Sequence, residues 1–389
     1  MTVPAGRRPR ATLFVHDLAG NAIVRAAPLA AALESEFDVE LAGLLLSGPD
    51  VYAPFRGRFA VRALRCAPGA AARFAAIPRL ARLASGDLLY ACKPLFTTLA
   101  PALYAARGRP VLLDVEDDEW ASRSVDAPRP GARGLLQRAA DTHRWMARAA
   151  HPLTRGVRGV TVATRSLQAR YGGTLVRHGP DEAVFDPADP RLAGRVALRR
   201  GFGLPDGPPL ALFAGVPRPH KGWATLLAAL AHPAAAGWEL VAAGPPGRAE
   251  FEQARQALGG RFHFVGSVEN GRMPALLAAC DAAPVPQRDT ASARAQLPAK
   301  ALEAMAMGVP VVATAVGDLP ELLGGGVRGW LVPPDDPAAL AAALAAVAAR
   351  PAEAAGRARA ARAWFLEQAG AAALRARLLP LARAALEAG

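Results

Sequence analysis

A chain of 389 residues exceeds what one hydrophobic core usually organises, about 250–300 residues, so two domains are expected. With 52% hydrophobic and 20% charged residues there is ample apolar material to bury, which excludes global disorder, and no apolar run reaches the roughly 18 residues a membrane-spanning helix needs. The net charge of +13 is uneven, with +9 carried by residues 1–185.

The opening MTVPAGRRPRATLFVHDLAG holds an apolar stretch of about five residues, closed by His16 and Asp17. It reads as a first strand and not as a signal peptide. Strand candidates follow at Ala11–His16, Val39–Leu46, Val61–Leu64, Asp87–Lys93, Pro110–Val115, Gly159–Ala163 and Leu175–Arg177, with helices between them, for example Ala22–Leu33 and Gly134–Ala150. Short apolar runs alternating with longer Ala/Leu/Arg runs predict a parallel sheet wrapped by helices. Within this half, Val51 to Gly86 carries seven arginines and no acid. Such a stretch faces either an anionic membrane surface or polyanionic acceptor, or simply solvent, and the two readings weigh equally. Its few aromatics fit no base-stacking pattern, so nucleic acid is not expected as a partner.

DVEDDEW, Asp114 to Trp120, follows a buried strand and is expected to face an interdomain cleft. Asp117 or Asp118 there could serve as a general base or orient an acceptor; helix capping explains the same cluster equally well. Lys93, at the end of the preceding strand, could pair with this cluster or meet an anionic acceptor. His16, also at a strand end, is the weaker acceptor-side candidate, because a lone histidine is more often structural. Cys66, Cys92 and Cys280 are odd in number and lack CxxC spacing, which fits a reducing cytoplasm and neither a disulfide framework nor a zinc site.

A Pro/Gly/Asp-rich stretch, Phe185 to Pro209, interrupts the rhythm and marks the interdomain connection. The second half then predicts strands Leu210–Gly215, Glu239–Ala243, His263–Val265, Ala283–Pro286, Pro310–Thr314 and Gly329–Val332. Helices fall at Trp223–Leu230, Arg248–Leu258, Pro274–Ala279, Pro298–Met307 and Pro337–Ala348. Asp335 and Asp336 precede Pro337 and are better read as a helix cap than as metal ligands. The tail Ala358 to Leu386 reads as mostly helical, with breaks at Gly370 and Pro380. The expected domains are 1–185, a linker 186–209, 210–365, and a C-terminal helix 366–389 packing across both.

Only three of the 46 basic residues are lysines, Lys93, Lys221 and Lys300, and all three fall in candidate site loops. In an open parallel sheet, ligands bind beyond the carboxyl ends of the strands. Directly after Leu210–Gly215 comes VPRPHKGW, where Arg218, Lys221 and the start of a helix converge, a combination suited to a diphosphate. Lys300 and Glu303 share one helical face. A surface ion pair would explain them, but a carboxylate near a phosphate site is also what ribose hydroxyls require, and the functional reading is favoured.

The strings GVPRPHKG, FVGSV, PAKALEAMAMGVPVVATAVGDLPELL and GWLVPP, in that order, resemble the nucleotide-binding half of the retaining GT-B family called glycosyltransferase group 1. The resemblance is strong over roughly residues 210–345. Upstream, VTVATRSLQARYGGTLVRHGPDEAVFDP, LLYACKPLFTT and VLLDVEDDEW resemble the family more weakly. It implies an α/β, GT-B architecture of two Rossmann-like domains whose parallel sheets face a central cleft, and metal-independent transfer of a sugar from a nucleoside diphosphate sugar to a hydroxyl acceptor, with no cofactor and no metal. Two acceptor classes stay open, lipid-linked and anionic. Position by position, Arg218 and Lys221 match the cations on the leaving diphosphate and Glu303 matches the carboxylate that contacts ribose. Gly215, Leu297 and Lys300 fall within the donor-binding positions, and Gly20 falls where backbone approaches the donor phosphates. The family's first glutamate would fall at 295, where this chain has Ala295. That departure carries the alternative of an inactive sugar-nucleotide sensor or scaffold. The expected location is cytoplasmic or peripheral at the inner face of the plasma membrane.

Overall fold

Among residues 6–119 and 141–388, which the computed structural model describes, thirteen short runs pair as parallel strands at the positions their apolar patterning predicts. Trp120 and the 134–140 part of the helix expected at Gly134–Ala150 lie outside the described residues. The remainder of that helix is Thr142–Ala150. Chain contacts divide the molecule into two units. The first runs through His178 and includes Ala295–Leu297 and the residues from Ala371 on; the second is Gly179–Arg294 with Pro298–Gly370.

In the first unit the strands are β1 (Arg10–Val15), β2 (Asp38–Leu45), β3 (Ala60–Arg65), β4 (Leu88–Cys92), β5 (Val111–Val115), β6 (Gly159–Val162) and β7 (Thr174–Leu175). They form one parallel sheet in the order β3-β2-β1-β4-β5-β6-β7. The central strands are buried along their length because helices cover both faces, which is why LLYAC reads as a continuous apolar run and VLLDV is broken only by the buried Asp114. Helix Ile23–Leu33 packs one face together with the last helix, Ala371–Glu387, whose Leu374, Leu378, Ala382 and Ala385 join the core of Ile23, Leu29 and Leu33.

In the second unit β8 (Leu210–Ala214), β9 (Glu239–Ala243) and β10 (Phe262–Gly266) pair in the order β10-β9-β8, and β11 (Ala283–Val285), β12 (Val311–Thr314) and β13 (Trp330–Val332) pair in sequence. A parallel bridge between Ala211 and Ala282 sets β11 beside β8. The order β10-β9-β8-β11-β12-β13 therefore reverses direction between β8 and β11, as the first unit's does between β1 and β4.

Three expectations change. The division falls between His178 and Gly179 and not at Phe185, and the stretch expected as a linker, 186–209, is folded into the second unit. Helix Arg195–Gly201 lies there, and its buried Arg199 fans out to the carbonyls of Ala279, Pro205, Asp206 and Pro208 and to the Asp281 carboxylate at 2.6 Å. One guanidinium satisfies the carbonyls that a Pro/Gly-rich chain cannot pair in a ladder. Arg199→Ala would leave them and Asp281 unsatisfied, and is expected to lower the stability of this unit by about 3 kcal/mol in denaturant titrations. The C-terminal tail does break at Gly370, but Pro380 lies inside an unbroken helix. Burial of that helix against Ile23–Leu33 outweighs the roughly 3 kcal/mol that an interior proline costs. The last helix is grouped with the first unit alone, while Pro351–Gln368 belongs to the second.

The arginine stretch is also less cationic than its own residues imply. Arg56 pairs with Asp50, Arg58 with Glu34 and Arg62 with Glu40, acids contributed from outside Val51–Gly86. This weighs toward a solvated surface. No single helix among the described residues is long and apolar enough to cross a membrane.

Candidate active site

In the second unit the loop leaving β8 sits at the strand-order reversal, where open α/β sheets hold ligands. Gly215 turns the chain with φ 125°, and the Lys221 Nζ lies 3.2 Å from where a Cβ on Gly215 would stand. A side chain there would crowd the ammonium. Pro219–Lys221 forms a single 3-10 turn, and Gly222, with φ 66°, opens helix Trp223–Ala231. A Cβ on Gly222 would fall 1.7 Å from the Pro286 carbonyl oxygen just past β11, so only glycine allows this helix start to approach the end of β11 so closely.

Helix Ala299–Ala306 adds Lys300 and Glu303, whose Nζ donates to both carboxylate oxygens at 2.9 Å. Burial first, then the charges of Arg218 and Lys300, push the Lys221 ammonium down to about 8, with Glu303 opposing. The loop thus carries more positive charge than its one carboxylate balances. Because the folded pKa lies below the unfolded one, protonated Lys221 destabilises the fold at neutral pH, and this penalty fades as pH rises from about 8 toward 10.5. An anion bound here would reverse the shift and draw a proton back onto Lys221. Binding of a nucleoside diphosphate is therefore expected to take up protons and to weaken as pH rises above about 8, which calorimetry in buffers of different ionisation enthalpy would measure.

The first unit places a second set of groups beyond the carboxyl ends of β1, β4 and β5. Lys93 directly follows β4 with φ 83°, a strained conformation for a residue with a Cβ. Its Nζ lies 3.3 Å from Glu116, 3.1 Å from Asp117 and 3.0 Å from Glu119. Burial works against the ammonium, but Glu116, Glu119 and Asp117 hold Lys93 charged. Glu116 is pushed up to about 7 by loss of water, only partly offset by Lys93. Burial opposes ionisation of Glu119 as well, yet Lys93 and a hydrogen bond with the His143 Nε2 hold it far below the usual range. His16 follows β1; its Nδ1 meets the Thr97 hydroxyl at 2.5 Å, and burial, then His143 and Arg73, push it down to about 3. Asp17 accepts from the Ala19 and Leu46 backbone amides at 3.0 Å and from the Ser47 hydroxyl at 2.5 Å, which fixes the turn leading to Gly20.

The structure therefore brings Gly215, Arg218, Lys221, Lys300 and Glu303 together in the second unit, while His16, Gly20, Lys93, Asp117 and Asp118 lie in the first. Asp117 and Asp118 turn out to be engaged by cations, Asp117 by Lys93 and Asp118 by Arg170. The expected pairing of Lys93 with the acidic cluster is present. Leu297 is buried and grouped with the first unit, as is Ala295, whose carbonyl accepts from Thr164 at 3.3 Å and whose side chain joins the apolar core. Position 295 thus offers a methyl group in place of a carboxylate. His143 and Glu119 were missed by sequence reasoning: Glu119 sat inside the quoted DVEDDEW string, and His143 inside a helical run with nothing local to mark it. Among the described residues no cluster of three His, Cys, Asp or Glu side chains is arranged to hold a metal ion.

Residues 208–350 match the family model for glycosyl transferases group 1. The 2-deoxystreptamine glucosyltransferase of Streptomyces kanamyceticus is 33% identical over 234 residues, 58% of this chain and 59% of that protein. The 2-deoxystreptamine N-acetyl-D-glucosaminyltransferase of Streptomyces fradiae is 30% identical over 288 residues, 65% and 64% of the two chains. The matches thus span less than two thirds of these relatives. The crystal structure of Anabaena HepE in complex with UDP and glucose superposes with a TM-score of 0.73 at 19% identity, covering 96% of this chain and 98% of that one. The two-unit α/β fold is that of the GT-B glycosyltransferases.

Proposed function

We propose that the chain, whose residues 208–350 match the model for glycosyl transferases group 1, moves a sugar from a nucleoside diphosphate sugar to an acceptor hydroxyl with retention of anomeric configuration. The observation that carries this reading is the crowding of Arg218, Lys221 and Lys300 around a single carboxylate at the strand-order reversal, which leaves Lys221 short of counter-charge. A diphosphate supplies what is missing.

When the anomeric C–O bond breaks, negative charge grows on the departing nucleoside diphosphate. Cations already in place stabilise that charge without having to reorganise, which lowers the barrier. Arg218 and Lys221 take this role, and the Gly215 turn lets the phosphates approach the backbone. Glu303, held by Lys300, accepts from the ribose hydroxyls, a contact of equal strength before and during reaction. Gly20 presents backbone in the first unit, and the acceptor docks on that unit. Because position 295 is alanine, hydroxyls of the sugar are read by other groups than a carboxylate there. The relatives' names give the sensor alternative no support.

A panel of UDP-, GDP- and ADP-sugars tests the reading, with UDP-glucose and UDP-N-acetylglucosamine first, because HepE holds UDP and the two Streptomyces relatives are named for glucose and N-acetylglucosamine. Transfer or donor hydrolysis is expected, with the product's anomeric configuration read by NMR. Nucleotide binding with neither transfer nor hydrolysis would sink it.

A further inference from the structure

The arginines of Val51–Gly86 fall into two groups. Arg56, Arg58 and Arg62 are neutralised by acids from outside the stretch. Among the described residues no carboxylate pairs with Arg79 or Arg82, which lie on helix Ala70–Leu83, a helix built from Ala, Arg, Phe, Ile, Pro and Leu alone. It buries Ala76, Ile77, Leu80 and Ala81. The stripe it turns outward is Ala71, Phe74, Ala75, Pro78, Arg79 and Arg82, the three- and four-residue spacing of one helical face. A helix that faces only water carries polar side chains on that side. This one offers no hydroxyl, amide or acid, only small apolar groups, an aromatic ring and two guanidiniums.

The apolar surface continues onto a second helix of the same unit. Phe74 is 39% exposed, its ring tilted on Phe96 with centroids 4.7 Å apart. Trp145, on helix Thr142–Ala150, is 47% exposed, with the Arg148 guanidinium 5.8 Å from its ring. The two rings line one mainly apolar depression of about 720 Å³, shared with Gly69, Ala70 and Ala149. Two large rings left open beside one another, flanked by cations, form a patch that folding alone does not explain.

We propose that this face of the first unit docks on an anionic lipid surface, with Phe74 and Trp145 entering the headgroup region and Arg79 and Arg82 meeting lipid phosphates. Aromatic rings settle at the boundary between headgroups and acyl chains, where an apolar body and a wet edge are both accommodated. An arginine near a negatively charged leaflet adds attraction, and its long stem lets the charge stay among the headgroups while the ring beside it goes deeper. A second copy of the chain fits the face less well: residues 1–185 carry +9, so pairing two such faces would set arginine against arginine. The docking uses helices of the first unit alone and stands apart from the sugar-transfer reading.

The test floats the full chain with phosphatidylcholine vesicles, alone or containing about one third phosphatidylglycerol. Flotation is expected only with the anionic vesicles and should fade as salt is added. Arg79→Ala/Arg82→Ala is expected to weaken the partition about 20-fold, whereas Arg56→Ala/Arg58→Ala, which removes the same charge from paired arginines, should weaken it less than about twofold. Phe74→Ser and Trp145→Ser leave the charge alone and should each weaken it about tenfold. Because all these side chains are exposed, melting temperatures should stay close to that of the wild type. Equal flotation with both kinds of vesicle, flotation with neither, or equal losses from the two arginine pairs would overturn the inference. So would a concentration-dependent dimer, seen by sedimentation, that Phe74→Ser dissolves, since the face would then belong to a second copy.

Discussion

Lys221→Ala is expected to lower kcat for sugar transfer by about 10²–10³-fold while changing donor KM little, whereas Glu303→Ala is expected to raise donor KM about tenfold with kcat nearly kept. The asymmetry follows from where charge develops. On this reading the ground-state charge of the diphosphate is met by Arg218 and Lys221; in the transition state the bridging oxygen gains charge, and a cation aimed at it gains interaction energy only then. Lys221 is the candidate for that cation because burial and the neighbouring Arg218 and Lys300 disfavour its protonated form in the free protein. Its charge is stabilised when an anion arrives and stabilised further as the anion's charge grows. Ribose hydroxyls do not change charge during the reaction, so the Glu303 contact is spent on binding. Steady-state kinetics on both variants decides the matter: equal effects on kcat would mean the two side chains act as one binding unit, and wild-type rates in both would remove the site.

The parts of this molecule that were legible in its sequence are those fixed by local chemistry. Strands such as Val111–Val115 and Glu239–Ala243 are covered on both faces, so each is a mainly apolar run bounded by turn residues. Arg218 and Lys221 are legible because two cations, a proline and a glycine in the five residues 218–222, shortly after a strand, leave few structural explanations. What was not legible depends on partners far along the chain. The Glu119 contact with His143 spans 24 positions, and neither residue type at its place in the pattern announces the other. The stretch 186–209 was read as a linker because Pro and Gly are turn formers; that Arg199 would collect its carbonyls is a property of the fold and not of local composition. Pro380 misled for the converse reason: the local rule for proline holds, but burial of the helix carrying it costs the rule its deciding vote.

Beneath the first unit's polar cluster lies an ion pair with almost no water, and breaking it is expected to be the most damaging single substitution in that unit. Arg25 and Asp114 are 1% and 0% exposed. The Arg25 Nε and Nη2 donate to the Asp114 oxygens at 2.9 and 2.7 Å, and Nη2 also reaches the Val176 carbonyl at 2.9 Å. Arg25 Nη1 meets the Nδ1 of His178 at 2.7 Å, and the Asp114 Oδ1 accepts from Thr161, itself paired with Tyr90 at 2.5 Å. Burial and the neighbouring Arg25 hold His178 well below its ordinary pKa, so it stays neutral and can accept from the guanidinium. In Asp114→Asn the shape is kept, but the guanidinium loses its counter-charge and an amide NH₂ faces the Arg25 donors. The expected loss is about 3–5 kcal/mol, a large part of a typical folding free energy of about 5–15 kcal/mol, read as a lowered denaturation midpoint. Removing both charges in Arg25→Met/Asp114→Leu should recover much of it, because desolvating two ions costs nearly what their attraction returns. A double variant as unstable as Asp114→Asn would mean that His178, Thr161 and Tyr90 depend on the charges themselves, and that the network shapes the floor of the cluster above it as well as filling the core.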